Sequence, residues 1–173
     1  MSAWYFAYGA NMLTDVLVRR RGIIPLSSEQ ARLDGYQLVF NQPGLPYIEP
    51  CFASIQPTRT DCVYGVLHHL TAHTATQIDR FEGRGYQRLM IKVEGAKSGW
   101  ISAWAYQSSR PIEGRRPSRR YRDLLIAGAQ EFNLPQEYIA YLKQIPYSDF
   151  PLISRLLPPL IEVIERTKRR STS

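Results

Sequence analysis

The spacing of apolar residues changes several times along the chain, and each spacing predicts one kind of element. An unbroken apolar run near residues 3–8 predicts a strand buried on both faces. Helical spacing over about residues 12–21 predicts a helix that ends at Gly22, because glycine commonly terminates helices. Strand-like residues return over 29–41, with a kink or bulge expected at Asp34-Gly35.

The middle of the chain alternates between turn-forming residues and short apolar runs. Residues 41–46 combine Asn, Gly and two prolines, which predicts an exposed loop. Two short strands are expected next, over 51–55 and 62–70, joined by a polar connection. Thr71 is a suitable N-cap for a helix that ends at Glu82.

The last part of the chain passes from strands to helices. Alternation over 89–93 predicts a strand with one buried face, and the apolar residues 100–106 predict an interior strand joined to it by a hairpin at 97–99. A loop over 108–117 separates these strands from the helices. Three further helices are predicted, beginning at Ser118, at Pro135 and at about residue 149, the last running to about 168.

Strands followed mostly by helices predict an α+β fold, with a mixed sheet closed toward a small barrel, flanking helices and a C-terminal helical region. A chain of 173 residues supports one substantial core, so we expect a single domain over 1–173 with a disordered basic tail from about 168. No apolar run approaches the ~18–20 residues of a membrane helix. The first residues lack the features of a signal peptide, so we expect a cytoplasmic protein without membrane association.

The net charge of +7 comes mostly from arginine, clustered at 19–21, 115–116, 119–120 and 168–170. A surface that binds nucleic acid or acidic lipid is one interpretation of these clusters. No recognisable nucleic-acid module accompanies the charge, so solvated helix ends and a basic tail are the favoured interpretation. We therefore expect no nucleic-acid partner.

The cysteines and histidines offer little catalytic chemistry. Cys51 and Cys62 both fall in strand-like runs, so a disulfide is geometrically possible, but two reduced buried thiols are favoured in a cytosolic chain. His68 and His69 are adjacent in a predicted strand and therefore point to opposite faces. No cluster of ligands has metal-site spacing, so we expect no metal.

Two stretches combine features that favour function. Residues 5–11, Tyr-Phe-Ala-Tyr-Gly-Ala-Asn, join a strand, a glycine turn and a helix start, where backbone N–H groups converge and an anion can bind. Ala75, Ile78 and Glu82 share one helix face that is apolar except for the carboxylate. Glu82 also precedes Gly83, at a helix end that disfavours negative charge. A residue that breaks two local rules is a functional candidate, and an inward carboxylate there should be more basic than a free one.

Four of the eleven tyrosines stand out by position: Tyr8, Tyr86, Tyr106 and Tyr121. A tyrosine in a strand commonly fills a core and satisfies its hydroxyl locally. Core packing and substrate contact therefore both stay open for each of them.

These residues carry a resemblance to a known family. Residues 5–11 resemble the YFAYGSN signature of the γ-glutamylcyclotransferases, and residues 78–83 followed by Tyr86 are similar to that family's Leu/Ile-Asp-x-x-Glu-Gly motif. A third segment is similar to the family's C-terminal helical region through Pro117-Ser118, Tyr121, Gly128-Ala129, Glu131, Leu134-Pro135, Glu137-Tyr138 and Leu142. Two departures are visible: Ala10 replaces the usual Ser, and the segment from Glu82 to Tyr86 is several residues shorter than in the mammalian enzymes.

The resemblance implies an intramolecular reaction that needs no cofactor. The α-amine of a γ-glutamyl group attacks its own γ-carbonyl, which forms 5-oxoproline and releases an amine or amino acid. It implies Glu82 as the general acid/base and a small-molecule γ-glutamyl compound as the partner, with the protein a monomer or a small homodimer. The substrate-binding residues that it implies are Tyr5, Phe6, Ala7, Tyr8, Gly9, Ala10, Asn11, Tyr86, Tyr106 and Tyr121.

Two other functions stay open. One is a binding or regulatory protein that keeps the fold without activity, for which Ala10 and the short segment after Glu82 are the support. The other is a nucleic-acid-associated module that uses the arginine clusters.

Overall fold

A closed barrel of five strands organises the computed structural model of the chain, which describes residues 2–149. The strands are β1 (Ser2–Ala7), β2 (Ser27–Leu45), β3 (Glu49–Thr71), β4 (Tyr86–Gly95) and β5 (Gly99–Ser108). Their order around the barrel is β1-β3-β2-β4-β5, and β5 returns to β1 as a parallel neighbour while the other pairs are antiparallel. The helices are α1 (Ala72–Glu82), α2 (Arg119–Glu131) and α3 (Gln136–Gln144). The predicted α+β fold with a closed mixed sheet is confirmed.

The long hairpin of β2 and β3 replaces several of the predicted elements. The prediction of an exposed loop over 41–46 is wrong, because β2 continues to Leu45, which pairs with Glu49 of β3. The two short strands over 51–55 and 62–70 are one continuous strand of 23 residues. The bulge predicted at Asp34-Gly35 is confirmed by a register shift between Asp34 and Tyr36, and a second register shift, between Val39 and Gln42, was not predicted.

The segment after β1 also differs from its prediction. The helix expected over 12–21 is a 3-10 turn, Ala10–Met12, followed by a π-helical segment, Asp15–Arg20. The backbone N–H of Arg21 donates to the Val16 carbonyl at 3.1 Å, a bond across five residues that widens the turn. Apolar spacing cannot distinguish this geometry from an α-helix, because the buried Val16 and Leu17 suit both.

Local signals predicted most of the other boundaries correctly. The Thr71 hydroxyl accepts the Thr74 N–H at 3.2 Å at the start of α1, and the Ser118 hydroxyl accepts the Tyr121 N–H at 3.0 Å at the start of α2. The α1 helix ends at Glu82 before Gly83, whose φ of 62° suits glycine. The hairpin at 97–99 joins β4 to β5 as predicted. Pro135 is the N-cap of α3 rather than its first residue, and the helix expected over 149–168 lies outside the described residues except at residue 149, as does the basic tail.

Close packing brings α2 against the turn that follows β1. A Cβ added at Gly128 would lie 2.8 Å from the Cβ of Met12, so only glycine permits this approach. Leu125, on the same face of α2, is fully buried. Within residues 2–149, no helix combines the length and the apolar character that crossing a bilayer requires.

The two cysteines are free thiols on the same strand, β3. Cys51 pairs with Pro43 and Cys62 with Asp34, so the two thiols lie far apart along the hairpin and cannot form a disulfide. Cys51 is buried as expected, whereas Cys62 is only partly buried.

The close approach of β1 and β3 at Gly65 is testable by substitution. An added Cβ there would overlap the Ala7 carbonyl oxygen and lie 2.8 Å from the Phe6 ring. We expect Gly65→Ala to lower the free energy of unfolding by about 1–3 kcal/mol, the usual cost of overpacking a core. Urea denaturation measures this loss. Thr60→Ala, at an exposed position of the same strand, is the control and should change stability by less than about 0.5 kcal/mol. Equal stability of the two variants would contradict the packing described.

Candidate active site

A cavity of about 660 Å³ opens where the end of β1, the C-terminus of α1, the β2–β3 hairpin and the N-terminus of α2 meet. Most of the site residues expected from the sequence line it: Tyr5, Tyr8, Gly9, Ala10, Asn11, Glu82, Tyr86, Tyr106 and Tyr121. Phe6 and Ala7 do not line the cavity and are buried in the core instead. The structure therefore brings together residues from four segments that are distant in sequence.

The turn after β1 presents backbone donors to this cavity. Gly9 precedes the 3-10 turn, and the first N–H groups of a helical turn have no partner within that turn. A Cβ added at Gly9 would lie 3.0 Å from the Tyr121 hydroxyl, so a larger residue would displace that side chain. Ala10 lacks the hydroxyl of a serine but keeps its N–H. The turn can therefore bind an anionic or carbonyl oxygen through its backbone.

Glu82, the last residue of α1, lies beside this turn. One of its carboxylate oxygens accepts hydrogen bonds from the Asn11 side-chain amide at 3.0 Å and from the Arg21 guanidinium at 2.7 Å. The Glu82 side chain is only 13% exposed and that of Arg21 only 19%. Arg21 also lies over the Phe81 ring, 5.3 Å from its centroid. The carboxylate is thus held in place by two donors from a single segment.

Arg21 is a site residue that the sequence did not predict. The interpretation of the cluster at 19–21 as a solvated helix end holds for Arg19, whose side chain is 82% exposed, and is wrong for Arg21. The π-helical segment explains the difference, because its wide turn brings both Arg20 and Arg21 to the cavity lining. No periodicity in the sequence signals that geometry.

Asn11 connects the turn to the barrel wall. Besides contacting Glu82, its side-chain amide donates to the Tyr5 hydroxyl at 2.9 Å. Its carbonyl accepts from His68 Nε2 at 3.1 Å, and the Ser28 hydroxyl lies 2.8 Å from His68 Nδ1. Because a carbonyl only accepts, Nε2 carries the proton and Ser28 donates to Nδ1. Burial lowers the pKa of His68 to about 4, so the ring is neutral near pH 7.

His68 and His69 point to opposite faces of β3, as their adjacency predicted. His68 is buried against Asn11, whereas His69 stacks on the Trp4 ring with the centroids 4.4 Å apart. His68 is therefore a neutral hydrogen-bonding residue that holds the turn.

Two of the tyrosines meet at Ala53 of β3. The Tyr86 hydroxyl donates to the Ala53 carbonyl at 2.7 Å, and the Tyr121 hydroxyl accepts the Ala53 N–H at 3.2 Å. Burial raises the pKa of both phenols, so both stay protonated at neutral pH. The Tyr121 hydroxyl keeps its own proton available to donate.

The other two tyrosines link the cavity to the end of α1. The Tyr8 hydroxyl donates to the Tyr106 carbonyl, and the Tyr106 hydroxyl donates to Asp79 at 2.6 Å. Arg88 of β4 binds the same carboxylate through two nitrogens, each at 2.7 Å. Asp79 lies one turn before Glu82, so this network fixes the last turn of α1 and with it the direction of Glu82.

Comparisons with known proteins identify the family to which this chain belongs. The model of the AIG2-like family matches residues 62–142. Mouse γ-glutamylcyclotransferase is 30% identical over 152 residues, which cover 84% of this chain and 80% of the mouse protein. The chain belongs to the γ-glutamylcyclotransferase family of enzymes.

A fungal relative and a solved structure extend the comparison. The γ-glutamyl cyclotransferase gliK of Claviceps purpurea is 33% identical over 147 residues, which cover 78% of this chain but only 66% of the fungal protein. A solved γ-glutamyl cyclotransferase structure superposes with a TM-score of 0.76 at 28% identity, over 87% of this chain and 92% of its own. The barrel and its helices are thus shared with this enzyme family.

A second ion pair, Arg120 with Glu49, also lines the cavity, and no signal in the sequence predicted it. Glu49 accepts hydrogen bonds from Arg120 and from the Ser118 hydroxyl. Tyr121 lines the same cavity as Glu82 and Glu49, and its backbone N–H donates to the Ser118 hydroxyl that contacts Glu49. Glu49 lies three residues after the segment expected to be a loop, and its burial follows from the unexpected length of the β2–β3 hairpin.

Neither metal nor thiol chemistry has support in this cavity. Across residues 2–149, no group of three or more His, Cys, Asp or Glu side chains is placed to hold a metal ion. Cys51 and Cys62 are not part of the cavity lining. Burial raises the pKa of Cys51 to about 11, so this thiol keeps its proton at neutral pH.

The buried His68 predicts a specific dependence of stability on pH. Its pKa falls from about 6.5 in the unfolded chain to about 4 in the folded one, so between these values only the unfolded chain binds the proton. The contribution of neutral His68 to the free energy of unfolding is therefore fully present above pH 6.5. About 3 kcal/mol of this contribution is lost as the pH falls to 4. His68→Gln should remove this part of the pH dependence of the unfolding free energy, measured with urea at pH 7, 5.5 and 4.5. His69→Gln is the matched control and should retain the dependence; identical slopes for both variants would contradict a neutral His68.

Proposed function

We propose that this protein converts γ-glutamyl compounds into 5-oxoproline and a free amine or amino acid. The observation that supports this function most is the position of the Glu82 carboxylate, which shares one cavity with the backbone donors of the turn at Ala10. A base beside a group of N–H donors suits a reaction that removes a proton from an amine and develops charge on a carbonyl oxygen.

The chemistry requires the substrate to fold back on itself. The α-ammonium group loses a proton to Glu82, and the free amine attacks the γ-carbonyl carbon to form the N–C bond of a five-membered ring. The bond from that carbon to the amide nitrogen then breaks. The ring nitrogen keeps one hydrogen, and the leaving nitrogen gains two through Glu82, so protons balance without uptake or release. Holding both reacting groups in one cavity supplies a large part of the rate enhancement.

The surrounding residues have complementary roles in this proposal. The N–H groups of Gly9, Ala10 and Asn11 bind the α-carboxylate or the developing oxyanion. Tyr8 and Tyr121, whose hydroxyls are protonated, line the part of the cavity that takes the glutamyl group, and Tyr86 and Tyr106 line the same cavity. Tyr121 accepts the Ala53 N–H, so its own hydroxyl proton can be donated to a substrate carbonyl, whereas the hydroxyl of Tyr8 already donates to the Tyr106 carbonyl.

Arg21 is a positioning residue in the same proposal. Its guanidinium contacts the Glu82 carboxylate directly at 2.7 Å and so fixes where that carboxylate lies in the cavity. The helix end alone disfavours a negative charge, so Arg21 compensates for the location of Glu82.

Replacing Glu82 by Gln tests the assigned base. The change keeps the size of the side chain but removes its basicity, so we expect turnover to fall at least ~10²-fold. Mass spectrometry of 5-oxoproline, after incubation with a panel of γ-glutamyl amino acids and amines, measures this. Glu94→Gln, an exposed residue of β4, is the control and should keep wild-type turnover.

Two results would count against the proposal. Retention of more than a third of the wild-type turnover by Glu82→Gln would exclude Glu82 as the base. Binding of γ-glutamyl compounds by the wild-type protein without any 5-oxoproline would favour a binding or regulatory protein on the same fold.

Substitutions at Ala10 test whether the turn acts through its backbone. Ala10→Ser adds only a hydroxyl and should change turnover by less than ~10-fold, or about 1.4 kcal/mol. Ala10→Pro removes one N–H donor, and loss of such a donor costs roughly 2.7–4 kcal/mol in comparable sites, so turnover should fall at least ~10²-fold. Thermal melting of each variant separates lost activity from lost folding. A large gain with Ala10→Ser would show instead that the hydroxyl, rather than the backbone, limits this site.

A further inference from the structure

The ion pair of Glu49 and Arg120 has no part in the proton transfers described above. Glu49 is a carboxylate with only 5% of its side chain exposed, held by Arg120 and by the hydroxyl of Ser118. Arg120 is 34% exposed and lines the cavity, so it is the accessible half of the pair. A guanidinium has five N–H donors, and one carboxylate does not occupy them all.

Apolar side chains line the same cavity as this guanidinium. The cavity lining near the tip of the β2–β3 hairpin includes Leu45, Ile48 and Phe52, and Leu124 of α2 lies one turn after Arg120. Leu45 is 58% exposed, which places it at the rim. Exposed apolar groups beside a cavity bind apolar ligand surface. This end of the cavity therefore combines one cation with an apolar wall.

The charges of the whole lining favour an anionic substrate. Among the described lining residues, the guanidiniums of Arg20, Arg21 and Arg120 outnumber the carboxylates of Glu49 and Glu82 by one. A γ-glutamyl amino acid carries one ammonium and two carboxylates and so has a net charge of −1. A γ-glutamyl amine has no net charge. Complementarity thus favours a leaving group that carries a carboxylate.

We propose that this end of the cavity is a leaving-group subsite, in which Arg120, oriented by Glu49, binds the carboxylate of a departing amino acid with a large apolar side chain. The apolar chain packs on Leu45, Ile48 and Phe52. This subsite proposal depends on the proposed function, because it assumes the same reaction. It adds the class of substrate on which the protein acts. Tyr121 lines the same cavity, and its backbone N–H donates to the Ser118 hydroxyl beside Glu49.

A purely structural role for the pair makes a different prediction. Glu49 accepts from the N-cap residue of α2, so the pair also anchors the hairpin to that helix. If anchoring were its only role, losing the pair would lower activity on all substrates by the same factor. A subsite changes the ratio between substrates, and that ratio is the decisive measurement.

Three substrates separate the two features of the subsite. γ-Glutamylleucine and γ-glutamyl isopentylamide differ only in the carboxylate of the leaving group, and γ-glutamylglycine lacks the apolar chain. We expect kcat/KM for γ-glutamylleucine to exceed that for the isopentylamide at least ~10-fold, the lower range for a charge-assisted hydrogen bond. The kcat/KM for γ-glutamylleucine should also exceed the kcat/KM for γ-glutamylglycine at least ~10-fold, because burial of a leucine side chain contributes enough binding free energy for such a ratio.

The variants assign the carboxylate preference to Arg120. Arg120→Met alone leaves Glu49 buried without its cation, which is destabilising, so Glu49→Gln/Arg120→Met is made alongside it. In both variants the preference for γ-glutamylleucine over the isopentylamide should fall below ~3-fold. Arg119→Met, whose exposed side chain is outside the cavity lining, should keep the wild-type ratio.

The outcomes distinguish this inference from the proposed function. Equal efficiency on γ-glutamylleucine and the isopentylamide, or an unchanged ratio in the double variant, would overturn the carboxylate site while leaving the reaction intact. Equal efficiency on γ-glutamylleucine and γ-glutamylglycine would overturn the apolar wall. Absence of 5-oxoproline from all three would contradict the proposed function, and the affinities of the same compounds measured by calorimetry would then test the subsite by the same ratios.

Discussion

The contacts of Asn11 hold the site together. Its side-chain amide bridges Tyr5 of β1 and Glu82 of α1, and its carbonyl is held by His68 of β3. Asn11 itself is buried, where an unmade hydrogen bond is costly, so these contacts fix both the turn and the carboxylate beside it. The neutral state of His68 belongs to the same constraint, because a charged ring there would be buried without a counter-ion.

The closed barrel determines which other segments of the chain reach the site around Asn11. The β2–β3 hairpin is long enough to wall the cavity on one side, while α2 approaches so closely that glycine is required at Gly128 against the turn and at Gly9 against Tyr121. The Asp79 network behind α1 fixes the last turn of that helix. The cavity is therefore a consequence of packing between distant segments, with its polar groups aimed by hydrogen bonds made outside it.

The two ion pairs at the ends of the cavity are weak evidence of stabilisation. Burying charges costs desolvation free energy that their mutual attraction often only offsets. Arg21 with Glu82 and Arg120 with Glu49 instead place four charged groups around one cavity in defined orientations. These four groups give the cavity lining both positive and negative charge.

Local rules were sufficient wherever a few neighbouring residues decide the structure. The cap at Thr71, the helix end at Gly83 and the glycine turn after β1 were all readable, and so was the candidacy of Glu82, because capping, φ preference and periodicity act within one turn of chain. The bulge at Asp34-Gly35 was also readable. The exposed loop and the two short strands expected around the β2–β3 hairpin were wrong, because strand pairing continues through these turn-forming residues and depends on both strands. The cavity-facing position of Arg21 and the burial of Glu49 likewise required the tertiary structure, since a π-turn and a cross-element ion pair leave no periodic trace in the sequence.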